Sequence, residues 1–164
     1  MAIVSTDIKY RLSGGAANTN PAASLGGAKS STDVPAGIFD DVSSAEASAG
    51  AVEYRCVYVH NNHGTLSLIG AKLWIQSNTP SGDTDIAVGL GSSGLNATEQ
   101  TVASETTAPT GVSFSTPSAF VSGLTLGDVP AGQHFPIWVR RTVTAGAAAA
   151  SDTFTLRVQG DTNP

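Results

Sequence analysis

Three histidines and thirteen carboxylates are the residues of this sequence best suited to acid–base or metal chemistry. His60 and His63 have an H-x-x-H spacing that could serve a zinc site. However, no acidic or cysteine ligand lies near them in sequence, and they stand where a strand-like run enters a turn. His134 is far away along the chain. We therefore expect turn or surface histidines, and we predict no metal site and no cofactor.

The carboxylates stand mostly among turn residues, where an aspartate side chain binds nearby backbone amides. Asp40 with Asp41, and Asp83 with Asp85, have oxygen ligands that suit Ca²⁺. Neither pair has the spacing of a calcium-binding loop. We expect these carboxylates to have turn and surface roles.

The segment Gly89 to Gly94 (GLGSSG) matches a phosphate-binding glycine pattern only in part. That pattern needs a helix after the glycines, and this segment follows a strand-like run and opens no helix. The single cysteine, Cys56, lies inside another strand-like run, so we expect a buried apolar thiol. No nucleophile, base and metal come together in the sequence. We therefore predict no catalytic residues and a protein that is not an enzyme.

The composition favours contacts with other proteins over contacts with nucleic acid. Charged residues make up 13% of the chain, about half of the share in ordinary soluble domains. The net charge is −5, and clustered Lys and Arg, which nucleic acid binding needs, are missing from the sequence. No apolar stretch approaches the roughly 20 residues that span a bilayer, so we expect no membrane partner. No signal peptide is recognisable, and we expect a protein made in the cytosol.

Short runs of alternating apolar and polar residues predict an all-β fold. Turn-forming residues separate these runs, as in sandwiches and barrels, and the length of 164 residues suits one domain spanning 1–164. We predict a single β-sandwich, jelly-roll-like, with roughly eight strands. The expected strands are 7–12, 52–60, 65–69, 71–77, 85–90, 111–115, 122–126, 133–144 and 152–159.

Residues 13–50 are rich in Gly, Ala, Ser and Asn and have little periodicity. We predict a long irregular N-terminal arm or loop here, with one short strand near Ile38 and Phe39 and at most two helical turns in 43–50. Loops of this length usually have a function. An extended arm that reaches across a neighbouring subunit is one such function.

Both tryptophans fall on the more polar faces of their predicted strands. Trp74 alternates with Lys72 and Gln76, and Trp138 alternates with Arg140. Trp and Arg are enriched at interface hot spots, so Trp74, Trp138, Arg140 and Arg141 form a candidate partner interface. Two alternatives stay open: a tryptophan can cap the edge of the core or lie under the long loop. Arg141 stands among apolar positions, which predicts an ion pair with Glu53 or Asp152 or a place at a subunit interface.

Several phrases of the sequence resemble small structural proteins encoded among phage and prophage head genes. They are Ser5 to Gly15, Tyr54 to Asn61, Leu126 to Gln133, Ile137 to Val143, and Ala145 to Ala147. Several such proteins are capsid decoration (cement) proteins of tailed phages, with a jelly-roll-like β-sandwich that binds the outer capsid lattice as an oligomer. The resemblance implies a virion protein on the capsid surface whose partners are the major capsid protein and further copies of itself, as a dimer or trimer. The resemblance identifies no binding residue in this sequence, because these proteins share no binding motif that can be matched to it.

Two other functions remain open at the level of sequence. A tail, fibre or baseplate β-module would also be an oligomeric virion component. A carbohydrate-binding β-sandwich would use an exposed Trp74 or Trp138 to stack on sugar rings.

Overall fold

Two antiparallel β-sheets form the centre of the structure, a computed structural model that describes residues 2–148 and 152–162. One sheet has four strands in the order β1-β2-β6-β4, and the other has three in the order β5-β3-β7. The strands are β1 (Ile8–Leu12), β2 (Ala51–Asn61), β3 (Leu68–Ser77), β4 (Thr84–Leu90), β5 (Leu124–Val129), β6 (His134–Val143) and β7 (Thr155–Thr162). The predicted all-β sandwich is therefore confirmed. It has seven strands in the described ranges, and the jelly-roll subtype stays a prediction.

The long pair β2 and β6 forms the middle of the four-stranded sheet. Their antiparallel register runs from Ala51 opposite Val143 to His60 opposite His134. Both strands are rich in β-branched and aromatic residues, which fit a pleated surface. The alternation read from the sequence places one set of side chains toward the second sheet and the other set away from it.

The main hydrophobic core lies between the two sheets. Val57 and Val139 of the four-stranded sheet and Leu73 and Ile75 of the three-stranded sheet are almost completely buried there. Each such aliphatic side chain contributes about 1.5–3 kcal/mol when it is fully buried. Leu156 of β7 packs against the same core, as its predicted inward position requires.

Four of the predicted strands differ from the observed ones. Residues 68–69 of the run expected at 65–69 and the whole run expected at 71–77 belong to one strand, β3, whose register shifts around Gly70. Gly70 has a φ of +58°, which a glycine adopts without strain. The strand predicted at 111–115 contributes a single bridge, from Ser115 to Val88. Residues near Ile38 form no strand, and Ile38 instead enters the main core from a loop.

Residues 13–50 fold back onto the sandwich, so the loop that was predicted is present and the extended arm is not. Two segments of this loop bind strand edges: the N–H of Val34 donates to the Tyr10 carbonyl at 2.8 Å, and the N–H of Cys56 donates to the Ser24 carbonyl at 2.8 Å. Ser24 is fully buried. These hydrogen bonds hold the segment against β1 and β2.

The helical content is small. A single α-helix, α1 (Ser44–Ala49), lies in the described ranges, with short 3₁₀ turns at Ser5–Asp7, Pro21–Ala23 and Phe120–Ser122. Ser43 and Glu46 form a capping box at the start of α1, and Gly50 ends it. Within residues 2–148 and 152–162, we find no helix with the length and apolarity needed to cross a membrane.

Candidate partner-binding surface

The outer face of the four-stranded sheet is covered by loops. Cys56 and Trp138 point away from the main core, yet both are completely buried. They form a second hydrophobic cluster under side chains of two loops, 13–30 and 91–115. The residues that cover them are Leu25, Val102, Val112 and Phe114. The structure thus has three layers, namely loops, the four-stranded sheet and the three-stranded sheet.

Trp138 is buried within the chain and lacks the exposure that a partner interface requires; it lies under the loops, which was one of the two alternatives. Its ring is 0% exposed, and its Nε1–H points to a carboxylate oxygen of Glu99 at 3.4 Å. The predicted face is correct, but the covering loops have no periodicity from which their position could be inferred. Arg140 is half-buried beside it, with its guanidinium carbon 5.3 Å from the centre of the Phe114 ring. Both residues therefore hold the loop layer on the sheet.

The glycine-rich segment 89–94 binds a carboxylate of the chain itself. The backbone N–H of Ser93 donates to Glu99 Oε2 at 2.9 Å, and the hydroxyl groups of Ser92 and Ser93 donate to the two Glu99 oxygens at 3.0 and 2.7 Å. Burial raises the pKa of Glu99, but these hydrogen bonds outweigh it and lower that pKa to about 2. Gly89 is needed for packing, because a Cβ there would stand 2.6 Å from Val112. The segment is part of the loop layer.

Arg141 faces the interior and forms the ion pair with Glu53 that was one of the predicted outcomes. Its Nε–H donates to Glu53 Oε2 at 2.6 Å, and its Nη1 donates to the Asp40 carbonyl at 2.6 Å. A second arginine, Arg55, donates to Glu105 Oε2 at 2.5 Å. The Phe39 ring contacts both guanidinium groups, with distances from its centroid of 4.8 and 5.4 Å. Arg141 is therefore occupied within the chain and is only 8% exposed.

The carboxylates of this network converge closely enough to be compared with a metal site. One oxygen each from Asp40, Glu53 and Glu105 lies within 4.8 Å of the others. Arg55 and Arg141 lie between these oxygens and neutralise most of their charge. The two guanidinium groups thus supply positive charge to these carboxylates. The arrangement is a partly buried ion network, in which Glu53 and Arg55 are buried and Asp40 is exposed.

The two histidines of the H-x-x-H motif have separate surroundings. His63 Nδ1 accepts hydrogen bonds from the N–H groups of Thr65 and Leu66, at 3.1 and 3.0 Å, and so organises the turn after β2. The His60 ring lies beside that of His134, with 6.4 Å between their centroids. The turn role that the sequence predicted for His63 agrees with this geometry.

Trp74 lies on the outer face of the three-stranded sheet, as predicted, but its ring is only 6% exposed. Phe120 stacks edge-on against it with 5.7 Å between centroids, and the Arg157 guanidinium lies 5.8 Å from the ring on β7. The Lys72 ammonium in turn lies 5.3 Å from the Phe120 ring. The four side chains form a cation–aromatic ladder across the sheet. Trp74 therefore supports the surface without being exposed on it.

The side chains that the ladder leaves exposed define an open surface. Val121 is 84% exposed and Phe120 is 41% exposed, next to the outer row of β7. Strand β7 alternates strictly between exposed and half-buried residues, and its outer row consists of the exposed ones, Thr155, Arg157, Gln159 and Asp161. We call Phe120, Val121 and this row the open face. No loop among the described residues covers it as loops cover the opposite sheet.

Sequence reasoning missed Phe120 and Val121 as functional candidates. They are two adjacent apolar residues in a stretch rich in Ser, Thr and Pro, with no alternation to mark a strand. Their isolation among turn residues was the available signal, because a core strand would contain more than two apolar residues. Comparisons of the chain with protein-family models, with curated proteins and with solved structures found no match.

Proposed function

We propose that this chain is a structural virion protein that binds and stabilises the outer surface of a tailed-phage capsid lattice. In this role it is a decoration or cement protein, made in the host cytoplasm and attached to the capsid surface. Its partners are the major capsid protein and further copies of itself. The proposal rests on the resemblance noted in the sequence and on the geometry of the open face.

The observation that carries the proposal is the difference between the two outer faces of the sandwich. Loops bury one outer face, including Trp138 at 0% exposure, whereas the other presents Val121 at 84% exposure. A protein whose task is to attach to a lattice needs such an attachment face on a rigid core. An apolar centre beside polar and cationic residues such as Arg157 is typical of protein–protein interfaces.

The carbohydrate-binding alternative depended on an exposed Trp74 or Trp138. Stacking on a sugar ring requires an exposed aromatic face, and both tryptophans are covered within the chain. A tail, fibre or baseplate module would use the same open face, so the experiment has to separate these locations in the virion.

The test is binding to particles of the encoding phage that were prepared without this chain. We expect the purified protein to sediment with the capsids, and we expect electron microscopy to place it on the head. Val121→Ser should weaken capsid binding about tenfold or more, as expected for a residue at an interface centre. Val52→Ser is the matched control, because Val52 is also an exposed valine but lies on the four-stranded sheet. Density on the tail, or no binding to heads, would overturn the proposal.

A further inference from the structure

The strand β7 has an unpaired edge. It lies at the end of the order β5-β3-β7 and pairs with β3 on one side. On its other side, the described residues form no ladder with it. An edge of eight residues presents a row of N–H and C=O groups that another strand can bind. Proline, which often blunts such edges, does not occur in β7.

Both edges of the four-stranded sheet, unlike the edge of β7, are hydrogen-bonded to loop segments. The loop segment 30–34 binds the edge of β1, where Ser30 donates to the Leu12 carbonyl at 2.8 Å. Ser115 pairs with Val88 on the edge of β4. The chain thus covers both edges of one sheet with its own loops and leaves that of β7 accessible.

A cleft of about 490 Å³ runs along this accessible edge. Residues 156–160 of β7 line it together with Ile3, Val4 and Ile8. Val4 at its rim is 56% exposed. The backbone of β7 therefore borders open space into which a further strand can approach.

The exposed side chains of β7 indicate that the pairing strand is β7 of a second copy of the chain. Arg157 stands two residues before Gln159, and Asp161 stands two residues after it, all on the outer face. If two copies of β7 pair antiparallel about Gln159, each Arg157 lies directly opposite Asp161 of the second copy. Both side chains are exposed, and the ion pairs in the described part of the chain involve other residues.

Two of the alternative registers are unfavourable, and pairing about Val158 or Gly160 forms no Arg157–Asp161 pair. Pairing about Arg157 or about Asp161 would place like charges opposite each other, which destabilises a strand pair. Pairing about Gln159 also sets Val158 opposite Gly160 of the second copy, so the inward side chains do not collide. The charge pattern of β7 is therefore complementary to itself in one register.

We propose that the chain forms a twofold-symmetric dimer in which β7 pairs with β7 of a second copy about Gln159. The two three-stranded sheets become one six-stranded sheet, and the two open faces become continuous. This inference specifies the self-association that is part of the proposed function. Its test uses the isolated protein, so its failure leaves capsid binding untouched, and a dimer that does not bind capsids would overturn only the proposed function.

The experiment measures the mass and dissociation constant of the purified protein by analytical ultracentrifugation. We expect a concentration-dependent dimer. Arg157→Asp or Asp161→Arg should each raise the dissociation constant about tenfold or more, because each replaces two attractive pairs by two repulsive ones. The double variant R157D/D161R should restore dimerisation, since it rebuilds both pairs with exchanged signs. Circular dichroism of each variant establishes that it is folded.

Asp41→Arg is the matched control for Asp161→Arg, because Asp41 is an exposed aspartate outside β7 and the variant changes the net charge equally. It should leave the dimer intact. Hydrogen exchange should slow in β7 as the protein concentration rises. A monomer or trimer, a dimer that tolerates both single variants, or a folded double variant that stays monomeric would each overturn the proposal.

Discussion

Arg141 and Glu53 lie directly opposite each other in the β6–β2 ladder, and their side chains form an ion pair inside the sandwich. Glu53 is completely buried, and its Oε1 has no hydrogen-bond partner among the described residues. Burial raises the pKa of Glu53, against the opposing effect of the Arg141 charge. The carboxylate thus loses much of its hydration on folding, and the Arg141 guanidinium stabilises its ionised form.

Removal of this arginine should be strongly destabilising. Arg141→Met leaves a buried carboxylate without its partner, which costs about 3–5 kcal/mol of unfolding free energy. Urea denaturation at neutral pH measures the loss. A further Glu53→Leu substitution in the same chain should recover part of it, because an apolar pair needs no compensation for lost hydration.

Asp33→Asn provides the surface comparison. Asp33 pairs with Arg11 at 2.9 Å, but its side chain is 52% exposed. The change should cost less than about 1 kcal/mol. If Arg141→Met and Asp33→Asn lowered the free energy of unfolding equally, the buried ion pair of Glu53 would contribute no more to stability than a surface pair.

The strands could be predicted from the sequence because their alternation is local. The predicted strands 52–60 and 133–144 agree with β2 and β6 within one or two residues. The prediction that Trp74 and Trp138 lie on the outer faces of their sheets was also correct. The sequence left open whether a tryptophan faces a partner or lies under the long loop, and Trp138 does lie under loops 13–30 and 91–115. Trp74 is covered by Phe120 instead. The sequence could not decide between these alternatives, because the covering segments have no periodicity to indicate which surface they cover.

The ion pair shows the same limit at a single residue. Arg141 at an apolar position predicted an acidic partner, with Glu53 and Asp152 as alternatives. Strand register selects Glu53, whereas Asp152 accepts hydrogen bonds from the hydroxyl groups of Ser81 and Thr84. The register between residues separated by 88 positions is a tertiary property, which a single sequence does not reveal.

His134 should make the protein less stable in mild acid. Burial lowers the pKa of its imidazole to about 4, and the charges of Lys29 and His60 act in the same direction. In the unfolded chain that pKa is about 6.5. Between these values the unfolded state binds more protons, so the free energy of unfolding falls as the pH decreases through this range.

Urea denaturation at about pH 7 and about pH 5 tests this dependence. The native sequence should lose stability between the two, and His134→Gln should lose less. His60, whose pKa burial also lowers, accounts for part of the remaining loss. The same pH dependence in both proteins would contradict the assignment to His134.

Cys56 should be unreactive in the folded protein. The thiol is completely buried under the loop layer, and this burial raises its pKa, so little thiolate forms at neutral pH. Labelling with a disulfide reagent should therefore require unfolding. Leu25→Asp, which disturbs the cover over Cys56, should accelerate labelling, whereas Ala22→Asp on an exposed part of the same loop should not. Rapid labelling of the native chain would mean that the loop layer opens freely.

Trp138→Ala should destabilise the isolated chain, because the ring fills the space between the four-stranded sheet and the loops. Truncation of a fully buried tryptophan costs about 3–5 kcal/mol of unfolding free energy. Trp138→Phe is the matched control, since it keeps an aromatic ring and loses the contact between Nε1 and Glu99; it should cost clearly less. Thermal and urea unfolding of the two variants measure the difference. If Trp138 instead faced a partner, the stability of the monomer would stay unchanged in both variants, and only association would weaken.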